Sequence, residues 1–186
     1  RSGWVFLNAH IFEATYSDGL TIEVQVNPEF SDPAEAQALA EKYSMVVGQL
    51  PKFLRSDVAT MWIHKGNEGF GGGNNNLLIH TERALQYEQS GDLEEVFLHE
   101  ASHTSLDPYH LKSPDWVVAQ EMDGQHISEY ARDALTGEDL AESFPLYFAL
   151  RHHPSRISEE LKELIRSTIP NRILYFDYYL PVEYVE

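Results

Sequence analysis

The chain has no cysteine. That removes disulfides and thiolate metal ligands together, so a bound transition metal would have to be held by histidine and carboxylate side chains. Positive charge is scarce as well: 13 Lys and Arg stand against 30 Asp and Glu, for a formal net charge of -17. Nucleic acid and anionic membranes need a basic face in their partner, and this composition argues against both. No apolar run approaches the roughly 20 residues of a spanning helix, so no membrane span is expected. The glycine- and asparagine-rich stretch 66–76 lacks the Lys-Ser/Thr ending of a phosphate loop. It is expected to be a surface connection or the lip of a cleft.

What is present is globular material for one domain: 186 residues, 42 % hydrophobic, with no internal repeat and no linker. An α+β fold is expected, with a small mixed sheet and a helix as scaffold over 1–82 and a mainly helical part over 83–186. Alternation predicts strands over 4–7, 11–12, 20–26 and 58–64, with Ser17, Asp18 and Gly19 as a turn. Pro33 opens a helix running to about Leu50, and 81–89 reads as a short helical link. Ser113 and Pro114 open a helix whose apolar face runs through Trp116 and Gln120 to Tyr130 and Ala131. Thr136 and Asp139 cap another, in which Pro145 predicts a kink. A last amphipathic helix covers 157–168, and 173–186 reads as an aromatic, acidic tail.

The chemistry concentrates in His99-Glu100-Ala101-Ser102-His103. Asp92 with Glu95 three residues on resembles a capping box, and Leu93, Val96 and Phe97 recur at helical spacing. On a helix, residues four apart lie one above the other, so His99 and His103 share a face. Two imidazoles so placed can hold one Zn²⁺, and Glu100, turned by about 100°, reaches a water beside the ion. This is the H-E-x-x-H device of zinc peptidases, with the Glu as general base.

A catalytic zinc wants a third protein ligand. Asp107 lies roughly 12 Å along the axis from His99, too far for one ion to bridge. Glu121 falls off the apolar stripe of its helix. His110 is one residue late for the metzincin spacing, and Leu106 stands where that pattern has its glycine. Glu138 opens a later helix with Glu142 on the same face, so one carboxylate can bind metal while the other bonds a ligating histidine. Glu138 and His110 remain the two candidates, with Glu138 favoured. Asp123, a charge on an apolar face, either accepts from the second ring N–H of a metal-bound histidine or is a buried cap or salt bridge. Leu77, Leu78, Ile79 and His80 form a short strand just before this region, expected to pair with an extended peptide substrate as an edge. His64 and His80 read as polar strand residues that face one another.

The combination of His99-Glu100-Ala101-Ser102-His103, then Ile127-Ser128-Glu129-Tyr130-Ala131, then Glu138-Asp139-Leu140-Ala141-Glu142-Ser143-Phe144 resembles the gluzincin peptidases of the anthrax lethal factor type. The Pro-Pro endopeptidases of clostridia are similar. The resemblance spans roughly residues 77–148 and implies a zincin-like domain. By it, His99, His103 and Glu138 are the zinc ligands and Glu100 is the base. It makes Tyr130 the hydroxyl that steadies the oxyanion and Glu142 a carboxylate behind the metal ligands. The expectation is a zinc-dependent endopeptidase acting on a peptide or protein. Its rivals are a non-catalytic zinc-binding interaction domain and a zinc amidase acting on other amides. The resemblance and the start at Arg1 instead of Met carry an expectation of secretion; oligomeric state is left open.

Overall fold

A computed structural model describes residues 6–134 and 137–180. In chain order the elements are β1 (His10–Thr15), β2 (Thr21–Val26), α1 (Pro33–Gly48), α2 (Lys52–Arg55), β3 (Thr60–His64), β4 (Gly71–Gly73) and β5 (Asn76–His80). Helices follow: α3 (Thr81–Ser90), α4 (Leu93–Ser105), α5 (Asp107–His110), α6 (Pro114–Asp123), α7 (Glu129–Asp133), α8 (Glu138–His152), α9 (Glu159–Thr168) and α10 (Pro170–Tyr179). A mixed sheet followed by a helical half is the α+β arrangement expected. The expected strand at Trp4 and Val5, the cap at Thr136 and the end of the tail at 181–186 lie outside the described residues.

The sheet order is β1-β2-β3-β5-β4. β2, β3 and β5 run parallel, while β1 and β4 run antiparallel at the two edges. Alternation puts Val24, Met61 and Leu77 in one cross-strand row and Val26, Ile63 and Ile79 in the next, all buried. This face packs on Tyr43 and Val47 of α1 and Phe97 and Ala101 of α4, giving one core that continues to Trp116, Phe144 and Phe176. Among the described residues no helix is long and apolar enough to cross a membrane.

Several boundaries depart from expectation, each for a local reason. Strand β5, with Leu77, Leu78, Ile79 and His80, is interior: β3 pairs with one side and β4 with the other. The free edge is the glycine strand β4. It exists because Asn74 and Asn75 adopt φ of 49° and 58°, the two positive-φ residues of a tight hairpin turn. Asp92 caps nothing with its side chain, since its own backbone is already helical. Gly124, at φ 61°, ends α6 well before Tyr130. Helix α8 runs through Pro145 without a break. Much of the expected tail, 173–179, is helical: Pro170 starts α10, which buries Ile173, Tyr175 and Phe176 against the core.

Candidate metal centre

Helix α4 carries both histidines on one face, and their ring centroids are 4.8 Å apart. Their Nε2 atoms come within 3.1 Å of each other. Glu138, the first residue of α8, places Oε2 3.1 Å from His103 Nε2 and 3.4 Å from His99 Nε2. Three lone-pair atoms from two helices thus converge on one point. Glu100 joins them: ligand atoms of His99, Glu100 and His103 lie within 4.8 Å of one another.

Behind each imidazole stands a carboxylate. Asp107 Oδ2 lies 2.7 Å from His103 Nδ1, and Glu142 Oε1 lies 3.3 Å from His99 Nδ1. A carboxylate only accepts, so each Nδ1 carries a proton, and in the neutral ring the lone pair is then on the forward-pointing Nε2. Glu142 is itself fixed by Ser128, whose hydroxyl donates to Oε2 at 2.7 Å. The bond to His99 holds the Glu142 carboxyl below its ordinary range; burial works the other way and loses.

Electrostatics separate the remaining groups. Burial disfavours charge on His103, but the hydrogen bond and charge of Asp107, with the charges of Glu138 and Glu100, outweigh it and push the imidazole up to about 9. His103 therefore holds a second proton at neutral pH, on the Nε2 that faces Glu138. Burial raises the Glu100 carboxyl, against the opposing pull of the two histidines and of a Gly72 N–H. A half-buried Glu poised upward is what a general base near neutral pH needs. Tyr130 is 57 % exposed at the mouth. The Glu138 charge raises its phenol, aided by lost solvent and by the hydrogen bond its hydroxyl donates to Glu138.

Strand β4 forms the rim of this cleft. Phe70 packs edge-on against Phe97, with centroids 5.3 Å apart, and Gly73 N–H donates to Thr104 Oγ1 at 2.8 Å. Between them Gly72 lies so close that a Cβ there would meet Glu100 O at 1.9 Å. Strand and helix thus run side by side in the same direction. The cleft they enclose, with Asp107, Tyr130 and Glu138, measures about 360 Å³.

Of the expected site residues, His99, Glu100, His103, Tyr130, Glu138 and Glu142 are brought together here. His110 is not: its Nδ1 bonds the Tyr175 hydroxyl at 2.8 Å and its ring packs on Tyr175 and Tyr179. Asp123 is not behind a ligating histidine. It takes the buried-cap alternative, accepting the Asn171 and Arg172 N–H groups at the start of α10 and pairing with the Arg172 guanidinium at 2.9 Å. Leu77 to His80, as the interior strand, offer no free edge; the outer strand on that side is β4.

Two contributions escaped the sequence. Asp107 was weighed against His99, from which it is far, whereas it sits one turn beyond His103; the i,i+4 spacing was the available signal. Arg172, wholly buried, grips Asp139 through two hydrogen bonds of 2.8 and 3.0 Å and so anchors the start of α8 beside Glu138. Gln120 and His126 bond the same carboxylate.

No protein-family model, curated protein or solved structure matches the chain.

Proposed function

We propose that the protein is a zinc-dependent endopeptidase, with His99, His103 and Glu138 as the metal ligands and Glu100 as the general base. The observation that carries this reading is the convergence of two Nε2 atoms and one carboxylate oxygen at 3.1–3.4 Å, with a carboxylate behind each ring. Atoms of this kind come together around a shared proton or a metal ion, and two imidazoles with one carboxylate are a ligand set that suits zinc.

Zn²⁺ held there would supply Lewis acidity, polarising an amide carbonyl and acidifying water at neutral pH. Glu100 then takes the proton from the attacking water and passes it to the leaving amine, a role that a burial-raised carboxyl fits. The Tyr130 hydroxyl, released from Glu138, donates to the developing oxyanion, a contribution of about 2.7–4 kcal/mol if it matches other such donors. The bare backbone of β4 offers an extended peptide an edge to pair with. Zinc kept for binding alone has no use for Glu100.

The test is incubation of the zinc-loaded protein with a mixed peptide library, with and without chelator, alongside Glu100→Gln. Cleavage that disappears with chelator and in the variant supports the reading. Zinc binding without cleavage of any peptide in the wild-type protein overturns it.

A further inference from the structure

We propose that a cavity beside the metal cleft receives a cationic side chain, Lys or Arg, from the substrate residue whose amine leaves on cleavage. The inference rests on the peptidase reading above and adds its substrate class.

The cavity measures about 380 Å³ and shares His99, Glu100 and Tyr130 with the metal cleft, so a side chain in it belongs to a residue next to the reacting carbonyl. Its remaining walls are of two kinds. Tyr87, Val96, Pro145 and Leu146 are largely apolar, while Asp92, Glu95 and Glu142 are acidic. A Lys or Arg side chain has the matching anatomy: a hydrocarbon stem that lies along apolar surface and a charged head that seeks carboxylate. A purely aliphatic side chain would cover the Glu95 carboxylate without giving it a partner, which is costly.

Two neighbours on α4 show which acid is still available. Glu94 faces away from the cleft and is matched by Arg156 at 2.8 Å. Glu95 makes no hydrogen bond or salt bridge with any described residue, and no Lys or Arg lines the cavity. Loss of solvent first, then the charges of Asp92 and Glu142, raise its carboxyl, so the cavity sets like charges against one another. A cation relieves that repulsion.

The direction of the chain follows from the rim. Strand β4 runs alongside α4 from Phe97 toward Thr104. A peptide pairing antiparallel to it runs from the Thr104 end toward the Phe97 end. Residues before the scissile bond then lie over His103 and Asp107, and the residue just after it lies over Val96 and Glu95.

The experiment compares zinc-loaded wild type with Glu95→Gln and Asp92→Asn on a peptide library, reading the residue after each cut. In parallel, binding of intact peptides carrying Lys, Arg or norleucine there is measured by calorimetry on Glu100→Gln with and without Glu95→Gln. Zinc content and melting midpoint confirm that each variant folds. We expect cleavage and binding to favour Lys or Arg over norleucine by about tenfold or more, a gap that Glu95→Gln closes. Cleavage without that preference, or a preference that survives both pocket variants, overturns the proposal and leaves the peptidase reading standing. Cation-selective binding lost in Glu95→Gln, with no cleavage of any peptide by the wild type, sustains the pocket and overturns the peptidase reading. Neither cleavage nor selective binding overturns both.

Discussion

His99 and His103 stand 4.8 Å apart, centroid to centroid, one turn apart on α4; His64 and His80 stand 5.8 Å apart at neighbouring positions of β3 and β5. By proximity alone the two pairs are nearly equivalent, and each has a glutamate near it. What lies behind the rings separates them. His99 and His103 are backed by carboxylates, which leave both Nε2 lone pairs aimed at Glu138. His64 Nδ1 instead meets the Asn27 side-chain amide at 3.0 Å, and because Asn27 Oδ1 already accepts from Glu29 N–H, that amide must donate. His64 in its neutral form therefore carries its proton on Nε2 and has no forward lone pair. His80 is turned away to bond Gly69 O at 3.0 Å. The pair proposed to hold metal differs from the other in what its second nitrogens bond, not in the closeness of its rings.

The comparison can be broken most decisively by metal analysis. His103→Ala and Glu138→Ala are each expected to leave the protein without zinc after dialysis, while His64→Ala and His80→Ala keep the wild-type stoichiometry. Zinc lost from the second pair of variants, or kept in the first, would end the distinction. Glu100→Gln should come next in size: zinc stays bound and peptide turnover falls by about 10²–10⁴-fold, read from initial rates at matched zinc occupancy.

Removing the backing carboxylates sharpens the same point. Asp107→Asn and Glu142→Gln should weaken zinc by about 10–100-fold in competition with a chelating dye, because the ring loses the acceptor that fixes its tautomer. Equal affinity in both variants would mean that the rings are held by packing alone. The smallest effect is expected at Asn27→Asp. Burial and then the neighbouring His80 hold the His64 imidazole below its ordinary 6.5. A depressed histidine contributes stability that is present above 6.5 and lost as pH falls through the lower folded value. An Asp at 27 should move the His64 titration upward in an NMR series and shrink the stability loss on acidification; an unchanged titration would show that Asn27 does not set the ring.

What could be read from the residues followed from short-range periodicity. The spacing of His99, Glu100 and His103 placed three groups on one helix, and Glu138 with Glu142 repeated the logic on another. Strands β2 and β3 were visible because their buried face alternates cleanly. Three features were out of reach for stated reasons. The order of β4 and β5 in the sheet depends on a hairpin turn made by two asparagines, and the expected edge therefore moved from Leu77–His80 to the glycines. Asp123 stayed open between a metal-side acid and a buried cap or salt bridge because its partner, Arg172, is 49 residues further along. The apolar face assigned from Trp116 to Tyr130 ignored Gly124, whose positive φ turns the chain and carries Tyr130 to the cleft on a separate helix.

Arg172 has a consequence for how the chain becomes competent. Its guanidinium is the only Lys or Arg head bonded to Asp123 or Asp139 among the described residues, and all three side chains are buried. A protein ending before Pro170 would keep every proposed zinc ligand and the proposed base, yet would leave Asp123 and Asp139 without their guanidinium at the foot of the helix that presents Glu138. Swapping Arg172 for Met, which leaves the same acids unmatched, is expected to cost about 3–5 kcal/mol in denaturant unfolding. The proposed metal centre thus leans on a residue that never goes near it.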